Sequence, residues 1–451
     1  MEVPAVPLEP LYSGTRPRDL RKPVSTYLNT RRGRRSQERE FTCIHGSARE
    51  KGASHNGESG ITHPSHDYGL RLGNEWAHNP SRRLGGGCAP DGGSSMELES
   101  KVGQLLFVGI EGTEESSDLR EFLEEFKPGG IVLFARNIQS PDQVRRFCAF
   151  LSAAVDPAPF LSIDQEGGRV NRLSPLVGPL PPAAALARQT KKDMVREFGI
   201  QTGRALKALG FNMDFAPCVD LSTPEATNGI AERAFGNDAR TVVRLAGAFL
   251  DGLQSEGVAG VLKHFPGLGP TDADTHLSLP TSGKSVQKLW EEDLLPFRSL
   301  GQRAAAIMVA HAHYASLDAD RKTPASLSPA VVGGLLHERM DYRGISIPDD
   351  LEMGAVSEQG PPDELSLRAL VAGCDMAMFC KSRNLIEEAF RGLVRAGQAG
   401  RLPEERLDRS LARILADKER FAIRKVPPTL PRGEFESARL ALRQIAETCS
   451  T

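Results

Sequence analysis

Several features that would mark common protein classes are missing from this sequence of 451 residues. Its seven cysteines are odd in number and include no C-x-x-C pair, which argues against a disulfide framework and against a zinc knuckle. The first thirty residues lack the apolar core of a signal peptide, and no stretch approaches the roughly 18 apolar residues of a membrane span. These absences predict a cytoplasmic protein that does not enter a membrane.

The charge balance and the loops exclude two further classes. The formal net charge is only -2, so we expect no nucleic-acid partner. No glycine-rich phosphate loop is present, and in particular no Gly-x-Gly-x-x-Gly follows the first apolar segment. We therefore expect no nucleotide cofactor and no open dinucleotide-binding sheet.

Apolar residues are scarce in residues 1–95, where Leu, Ile, Val and Phe together number 13. That share, about 14%, is below the roughly 20% at which a segment is expected to bury a core, so we predict a disordered extension. Met96 directly precedes the first amphipathic segment, and a start of translation near Met96 is the alternative explanation for this composition. We assign residues 96–425 to one catalytic domain and residues 426–451 to a C-terminal tail with a short helix.

Eight short apolar runs follow Met96, and most are separated by segments with the three-to-four spacing of amphipathic helices. The runs are residues 104–110, 130–135, 160–165, 213–220, 260–265, 305–312, 344–350 and 376–380. Strands that alternate with helices eight times in about 350 residues predict an α/β protein with a (β/α)8 barrel of the TIM type.

Polar residues recur where each of several predicted strands ends, which is the face at which barrel enzymes build their active sites. These residues are Asp164, Asp220, Lys263, His264, His311 and Asp349. A purely structural barrel would have little reason to place several ionisable groups at one face, so the pattern predicts an enzyme.

Two arrangements of these residues resemble metal sites. Asp272, Asp274 and His276 alternate, and His311 and His313 form a His-x-His pair. In metal-dependent barrel hydrolases such a pair normally lies on the first strand, whereas here it falls on the sixth. We therefore predict no catalytic metal and interpret His313 as a structural histidine.

Nucleophilic catalysis with a separate proton donor fits the pattern better. Asp349 ends the apolar strand "GISIPDD" and is a rigidly held candidate nucleophile. His276, beside Asp274 on the loop "KHFPGLGPTDADTH", is a candidate proton donor whose imidazolium form the carboxylate would support. The structural alternative for Asp349 is a helix N-cap, although Asp350 is better placed for that role.

Five motifs together resemble the β-N-acetylhexosaminidases of glycoside hydrolase family 3, and most closely the single-domain type of peptidoglycan recycling. They are "DQEGGRVNRL", "FAPCVDL", "ERAFGND", "KHFPGLGPTDADTH" and "PDDLEM", in family order between about Lys101 and Lys418.

The resemblance implies a role for particular side chains. Asp349 matches the nucleophile, and His276 with Asp274 matches an acid/base dyad on a flexible loop. The positions that match sugar-binding residues are Asp164, Arg172, Arg233, Lys263 and His264.

Three positions depart from the family pattern. Leu268 stands where a histidine is usual, Pro270 where an aspartate is usual, and Pro348 where serine or threonine precedes the nucleophile. We expect the first two to affect closure of the loop and Pro348 to remove one backbone donor near the reacting carboxylate.

The function implied by this resemblance is that of a retaining exo-β-N-acetylglucosaminidase acting on carbohydrate fragments of peptidoglycan, as a monomer. A phosphorylase on the same scaffold is one alternative, because a histidine acid/base does not repel an anionic acceptor as a glutamate would. A catalytically silent sugar-binding protein is the other, on account of Leu268 and Pro348.

Overall fold

The computed structural model describes residues 96–189, 191–222, 228–269, 271, 279–320, 323–425 and 432–450. Eight parallel strands form one sheet in the order β7-β6-β5-β4-β3-β2-β1-β8. Their bounds are β1 (Leu106–Gly109), β2 (Gly130–Val132), β3 (Phe160–Ile163), β4 (Met213–Asp214), β5 (Ala259–Phe265), β6 (Ala306–Val309), β7 (Ile345–Pro348) and β8 (Ala377–Phe379). The predicted (β/α)8 barrel is confirmed.

Helices follow the strands and form the outer layer. They are α1 (Leu98–Gln104), α2 (Ser117–Phe126), α3 (Pro141–Ala154), α4 (Ser174–Val177), α5 (Ala183–Arg188), α6 (Lys192–Leu209), α7 (Ala239–Ser255), α8 (Val286–Glu291), α9 (Leu294–Leu300), α10 (Gly354–Ser357), α11 (Pro362–Ala372), α12 (Arg383–Gln398), α13 (Glu404–Arg420) and α14 (Arg432–Ser450). A π-helix, Ala330–Arg339, takes the outer position after β6. Serine or aspartate side chains cap α2, α3, α7 and α8, which is why these helices begin where they do.

The barrel strands are buried along their whole length. Parallel strands covered by helices are expected to be continuously apolar, and this explains why the runs could be found in the sequence. Phe107 on β1 meets Phe215 edge to face, with ring centroids 5.4 Å apart, so aromatic side chains help to fill the barrel interior.

The barrel is nearly closed between β7 and β8. The Ser346 carbonyl accepts hydrogen bonds from the amides of Asp375 (2.7 Å) and Met376 (3.3 Å), and the Leu351 amide donates to the Met378 carbonyl (2.9 Å). A regular parallel ladder would place another donor at position 348, but Pro348 has no amide hydrogen. Pro348 therefore removes one bond from this contact, and the Ser346 amide donates to the Asp375 side chain (3.0 Å) instead of to the backbone of β8.

Several strands are shorter than predicted, because their last residues leave the ladder. The run 213–220 contributes only Met213–Asp214 to the sheet, and Pro217 interrupts the pairing that follows. Beyond it the Val219 amide donates to the Lys263 carbonyl over 2.8 Å. The polar ends of the runs are therefore free to face the mouth of the barrel.

The C-terminal helix α14 spans Arg432–Ser450 and is longer than the short helix predicted. It contacts α6 and α4, and it buries Phe435, Ala438 and Leu442. Among the described residues, no helix has both the length and the apolarity needed to cross a membrane. The predicted disordered extension, residues 1–95, lies outside the described residues.

Candidate active site

A cavity of about 480 Å³ opens at the carboxyl ends of the barrel strands. It is lined by all the predicted site residues that the structure describes: Asp164, Arg172, Arg233, Lys263, His264 and Asp349. The two remaining predicted residues, Asp274 and His276, lie outside the described residues, together with Pro270 and Asp272. Side chains from the ends of β3, β5 and β7 and from the loops after β3 and β4 thus meet in one place.

Asp349 directly follows β7, and its backbone remains tied to the sheet. Its amide donates to the Val309 carbonyl (2.9 Å), and its Oδ1 accepts a hydrogen bond from the Asp350 amide (2.9 Å). Burial raises the pKa of Asp349, but the imidazoles of His264 and His311 and the other nearby donors outweigh it and lower the pKa below its usual value. Asp349 is therefore an ionised carboxylate held in a fixed position.

Four charged side chains beside Asp349 form a balanced network. The Lys263 ammonium lies 2.7 Å from Asp164 Oδ1 and 2.5 Å from Glu166 Oε1. Arg233 donates two hydrogen bonds to Glu166, from Nε (2.9 Å) and from a terminal nitrogen (2.8 Å). Two cations thus face two anions, which is the arrangement that buried charges require.

The pKa values in the network follow from this balance. Burial raises the pKa of Glu166, yet the charges of Arg233 and Lys263 hold it well below its usual range. Burial lowers the pKa of Lys263, but Asp164 and Glu166 raise it above its usual value. Glu166 and Lys263 therefore keep their charges at neutral pH.

Asp214 is a further carboxyl group at this end of the barrel, and it behaves differently. It is fully buried, its Oδ1 accepts from the Gln165 amide (2.9 Å), and its Oδ2 has no hydrogen-bond partner among the described atoms. Burial raises its pKa well above the usual value, and the charges of Asp164 and Glu166 add to that effect. Burial therefore favours the protonated form of Asp214, in contrast to Asp349.

Asp220 connects the barrel to the start of the Gly-Pro loop. Its Oδ1 accepts hydrogen bonds from the amides of His264 (3.2 Å) and Leu268 (2.7 Å), and its Oδ2 lies 2.7 Å from His264 Nδ1. The Arg233 guanidinium lies 3.2 Å from His264 Nε2, so both ring nitrogens of His264 face protein partners. His264 is thereby held in a defined orientation.

Within the described part of the chain, Cys218, Asp220 and His264 are close enough to resemble a metal site. Hydrogen bonds already engage the same atoms, since the Cys218 thiol also donates to Asp220 Oδ2 (3.2 Å). Burial, assisted by the charge of Asp220, raises the pKa of the Cys218 thiol well above its usual value. The arrangement fits a hydrogen-bonded cluster with a protonated thiol.

The His-x-His pair does not form a common site. His311 is buried, with Nδ1 2.7 Å from Ser326 Oγ and Nε2 3.0 Å from the Asp350 carbonyl, so both nitrogens have protein partners. The backbone of His313 pairs with that of Thr281 in a separate two-stranded parallel sheet, and its Nδ1 lies 3.3 Å from the Thr323 carbonyl. Its Nε2 is buried without a partner among the described atoms, so the expected structural histidine is only partly satisfied.

Two of the family departures can be placed. Leu268 is 5% exposed and lines the cavity, and its amide makes the hydrogen bond to Asp220 described above. This bond comes from the backbone, so it does not depend on the side chain at position 268. Pro348 is buried in β7, where its effect is on the seam of the barrel.

Sequence reasoning assigned no specific role to several residues of the site. Glu166 stands two residues after Asp164 in "DQEGG", so its position in the motif was a usable signal. Asp220 is recognisable in the sequence only as a polar residue at a strand end. Arg136 also lines the cavity and donates to the Cys380 carbonyl (2.7 Å), and no pattern marks it in the sequence.

Comparison with known proteins agrees with this geometry. Residues 97–416 match the family model described as the N-terminal domain of glycosyl hydrolase family 3. A β-hexosaminidase of Alkalilimnicola ehrlichii is 36% identical over 295 residues, which are 64% of this chain and 84% of that protein. The β-hexosaminidase LpqI of Mycobacterium tuberculosis is 34% identical over 344 residues, which are 73% of this chain and 86% of that protein.

Solved structures give the same result. The family 3 β-N-acetylglucosaminidase of Paenibacillus sp. FPU-7 superposes with a TM-score of 0.74 at 35% identity, covering 79% of this chain and 69% of that one. NagZ of Neisseria gonorrhoeae superposes with a TM-score of 0.62 at 26% identity, covering 76% of this chain and 97% of that one. The sequence resemblance is thus confirmed, and this chain belongs to glycosyl hydrolase family 3.

Proposed function

We propose that this chain, a glycoside hydrolase, is a retaining exo-β-N-acetylglucosaminidase. The observation that carries the proposal is the ionised Asp349 carboxylate at the wall of a cavity rich in charged hydrogen-bond donors. An ionised, rigidly held carboxylate is what nucleophilic attack at a sugar C1 atom requires. The relatives named as β-hexosaminidases and β-N-acetylglucosaminidases support the choice of sugar.

The proposed reaction has two displacements. An Asp349 oxygen attacks C1 while the C1–oxygen bond to the leaving group breaks, and His276 gives its proton to the departing oxygen. Water then attacks C1 from the face that the leaving group vacated, opposite Asp349; His276 takes a proton from that water, and the bond from C1 to Asp349 breaks. Asp274 would orient His276; the roles of both residues come from their match to the family motif.

The network beside Asp349 would hold the sugar. The Lys263 ammonium and the Arg172 and Arg233 guanidinium groups are donors suited to sugar hydroxyls and to carboxylates, and Asp164 is an acceptor for a hydroxyl. Because Glu166 and Asp220 fix Arg233, Lys263 and His264 before substrate arrives, little reorganisation would be needed on binding.

An acidic neighbouring sugar would fit the same cavity. Arg136 and Arg172 both approach the ring of Phe134, with Cζ 4.5 Å and 5.9 Å from its centroid. Arg136 has only backbone carbonyls as hydrogen-bond partners in the described structure, and Arg172 lies 3.9 Å from its acidic neighbour Asp164. These guanidinium groups support peptidoglycan fragments, whose muramic acid carries a carboxylate, as the natural substrates.

The protein would act as a monomer in the cytoplasm. The five cysteines in the described residues are free thiols, as a reducing compartment favours. Among the described residues, two large apolar side chains are exposed, Val371 and Leu440. A surface with so few exposed apolar groups supports a monomer.

The decisive experiment compares hydrolysis of an aryl N-acetyl-β-glucosaminide with that of the matching β-glucoside. We expect turnover of the N-acetyl substrate, and loss of at least about 10³-fold in kcat for Asp349→Asn, because the nucleophile is lost. A fluorinated slow substrate should label the peptide that contains Asp349, which mass spectrometry would detect. Turnover that persists in Asp349→Asn would exclude the mechanism. Formation of sugar 1-phosphate in phosphate buffer would show that the enzyme is a phosphorylase and not a hydrolase.

The proton donor is tested separately by His276→Ala. Its loss should slow substrates with sugar leaving groups far more than activated aryl substrates, because only a poor leaving group needs protonation. An equal loss on both classes of substrate would contradict the role of His276. The same kinetics for Asp274→Asn would show whether the carboxylate acts through the histidine.

A further inference from the structure

The C-terminal helix α14 contacts the segment that follows Arg172 in the chain. Helix α4 begins two residues after Arg172, and α14 packs against it and against α6. Arg443 on α14 donates a hydrogen bond from Nε to the carbonyl of Val177, the last residue of α4 (3.1 Å). Its guanidinium also covers Gly178, which adopts a positive φ of 84°, at 3.6 Å from the point where a Cβ would stand.

From this turn, side-chain hydrogen bonds lead back to the cavity. The Gly178 carbonyl accepts from Asn171 Nδ2 (2.9 Å), and Asn171 Oδ1 accepts from Gln165 Nε2 (2.9 Å). The Gln165 Oε1 atom accepts in turn from the Leu173 amide (3.0 Å). Gln165 and Asn171 are 1% and 8% exposed, so these bonds are shielded from water.

The residues in this chain of bonds are the direct neighbours of the cavity side chains. Gln165 stands between Asp164 and Glu166, and Asn171 immediately precedes Arg172. They belong to a small hairpin of Gln165–Gly167 and Val170–Asn171, with only three and two residues per strand. So short a hairpin is not stable on its own, and its position must be imposed by neighbouring elements.

We propose that α14 is part of the active-site scaffold and that Arg443 is a positioning residue. Through Val177 and Gly178 it fixes the hairpin Gln165–Asn171, and thereby the directions in which Asp164 and Arg172 enter the cavity. The kinetic consequence rests on the proposed function, whereas the structural consequence does not.

The test uses the full chain and a matched pair of variants on α14. Arg443→Ala removes the bond to Val177, whereas Arg439→Ala, one turn earlier, removes an ion pair with Glu436 on the same helix and no hydrogen bond to Val177. Losing a hydrogen bond that holds the binding side chains should lower kcat/KM by about three- to tenfold, mostly through KM. Arg439→Ala should leave both constants unchanged, and Arg443→Lys, which keeps a donor, should recover most of the loss.

Hydrogen exchange followed by mass spectrometry tests the structural part without any substrate. In Arg443→Ala, peptides covering residues 165–178 should take up deuterium faster, while peptides from β6 and β7 stay unchanged and the thermal midpoint matches that of Arg439→Ala. Equal uptake and equal KM in the two alanine variants would overturn the proposal. If the wild type hydrolyses no glycoside but the exchange difference is seen, the proposed function fails and the scaffold role stands.

Discussion

Two buried lysines, Lys263 and Lys418, lie at opposite ends of the barrel and have opposite properties. Lys263, 2% exposed at the carboxyl end, has a raised pKa because Asp164 and Glu166 more than compensate for burial. Lys418, 4% exposed, donates to Gln104 Oε1 (2.7 Å) just before β1. Burial lowers its pKa to about 7, and only the charge of Asp156 opposes this.

The difference shows that burial alone does not decide the charge of a side chain. The carboxylate partners of Lys263 lie within 2.7 Å, whereas the hydrogen-bond partner of Lys418 is a neutral amide. The buried charge of Lys263 is therefore stabilised by carboxylates at the cavity, whereas burial at the amino end of the barrel disfavours the charged form of Lys418. This agrees with the division of barrels into a functional carboxyl face and a structural amino face.

The largest expected effect comes from removing the paired lysine. Lys263→Met would leave Asp164 and Glu166 facing each other with one cation fewer, so the free energy of unfolding should fall by about 3–5 kcal/mol. Urea denaturation would measure it. Lys101→Met is the control, since the partners of Lys101, Glu404 and Asp408, are largely exposed and its loss should cost at most about 1 kcal/mol. Similar losses in both variants would remove the distinction between the network and an ion pair whose carboxylates are exposed to water.

Removing Lys418, whose hydrogen-bond partner is a neutral amide, should change the stability of the fold less, and by an amount that depends on pH. Lys418 has a folded-state pKa of about 7 against 10.5 as its reference value. Between these values the unfolded chain binds a proton that the folded chain does not, so wild-type stability rises with pH across this window. Lys418→Met lacks this dependence, and its thermal midpoint relative to wild type should be higher at pH 7 than at pH 9.5. A constant difference between the two pH values would show that Lys418 is protonated in the fold.

The smallest effect is expected for the buried carboxyl group of Asp214. Because burial raises the pKa of Asp214 in the folded chain above its value in the unfolded chain, the folded state loses stability relative to the unfolded state as pH rises from about 4 toward 7. Asp214→Asn resembles the protonated acid, so it should keep wild-type stability within about 1 kcal/mol near pH 4 and gain relative stability toward pH 7. Thermal unfolding at both pH values measures this, and a loss that grows toward neutral pH would mean that the carboxylate is ionised in the fold.

The strand positions and the cavity residues differ in how far they could be predicted. Runs such as 344–350 were recognisable because a parallel strand covered on both faces is apolar along its length. Their ends were overestimated, since Pro217 and the polar residues after each strand leave the ladder for reasons of local backbone chemistry. Asp164 and Asp349 were found because strand ends are predictable, whereas Arg136 follows no periodic pattern.

The sequence by itself determined the eight-stranded barrel, the family, and six of the side chains that line its cavity. These follow from local periodicity and from motifs whose residues are close in the chain. Only the tertiary structure decided that Glu166 joins Arg233 and Lys263, that the pKa of Asp214 is raised while that of Asp349 is lowered, and that α14 supports the hairpin beside the cavity. The physical reason is that a charge and a hydrogen bond depend on partners and on exclusion of water, and residues distant in sequence supply both.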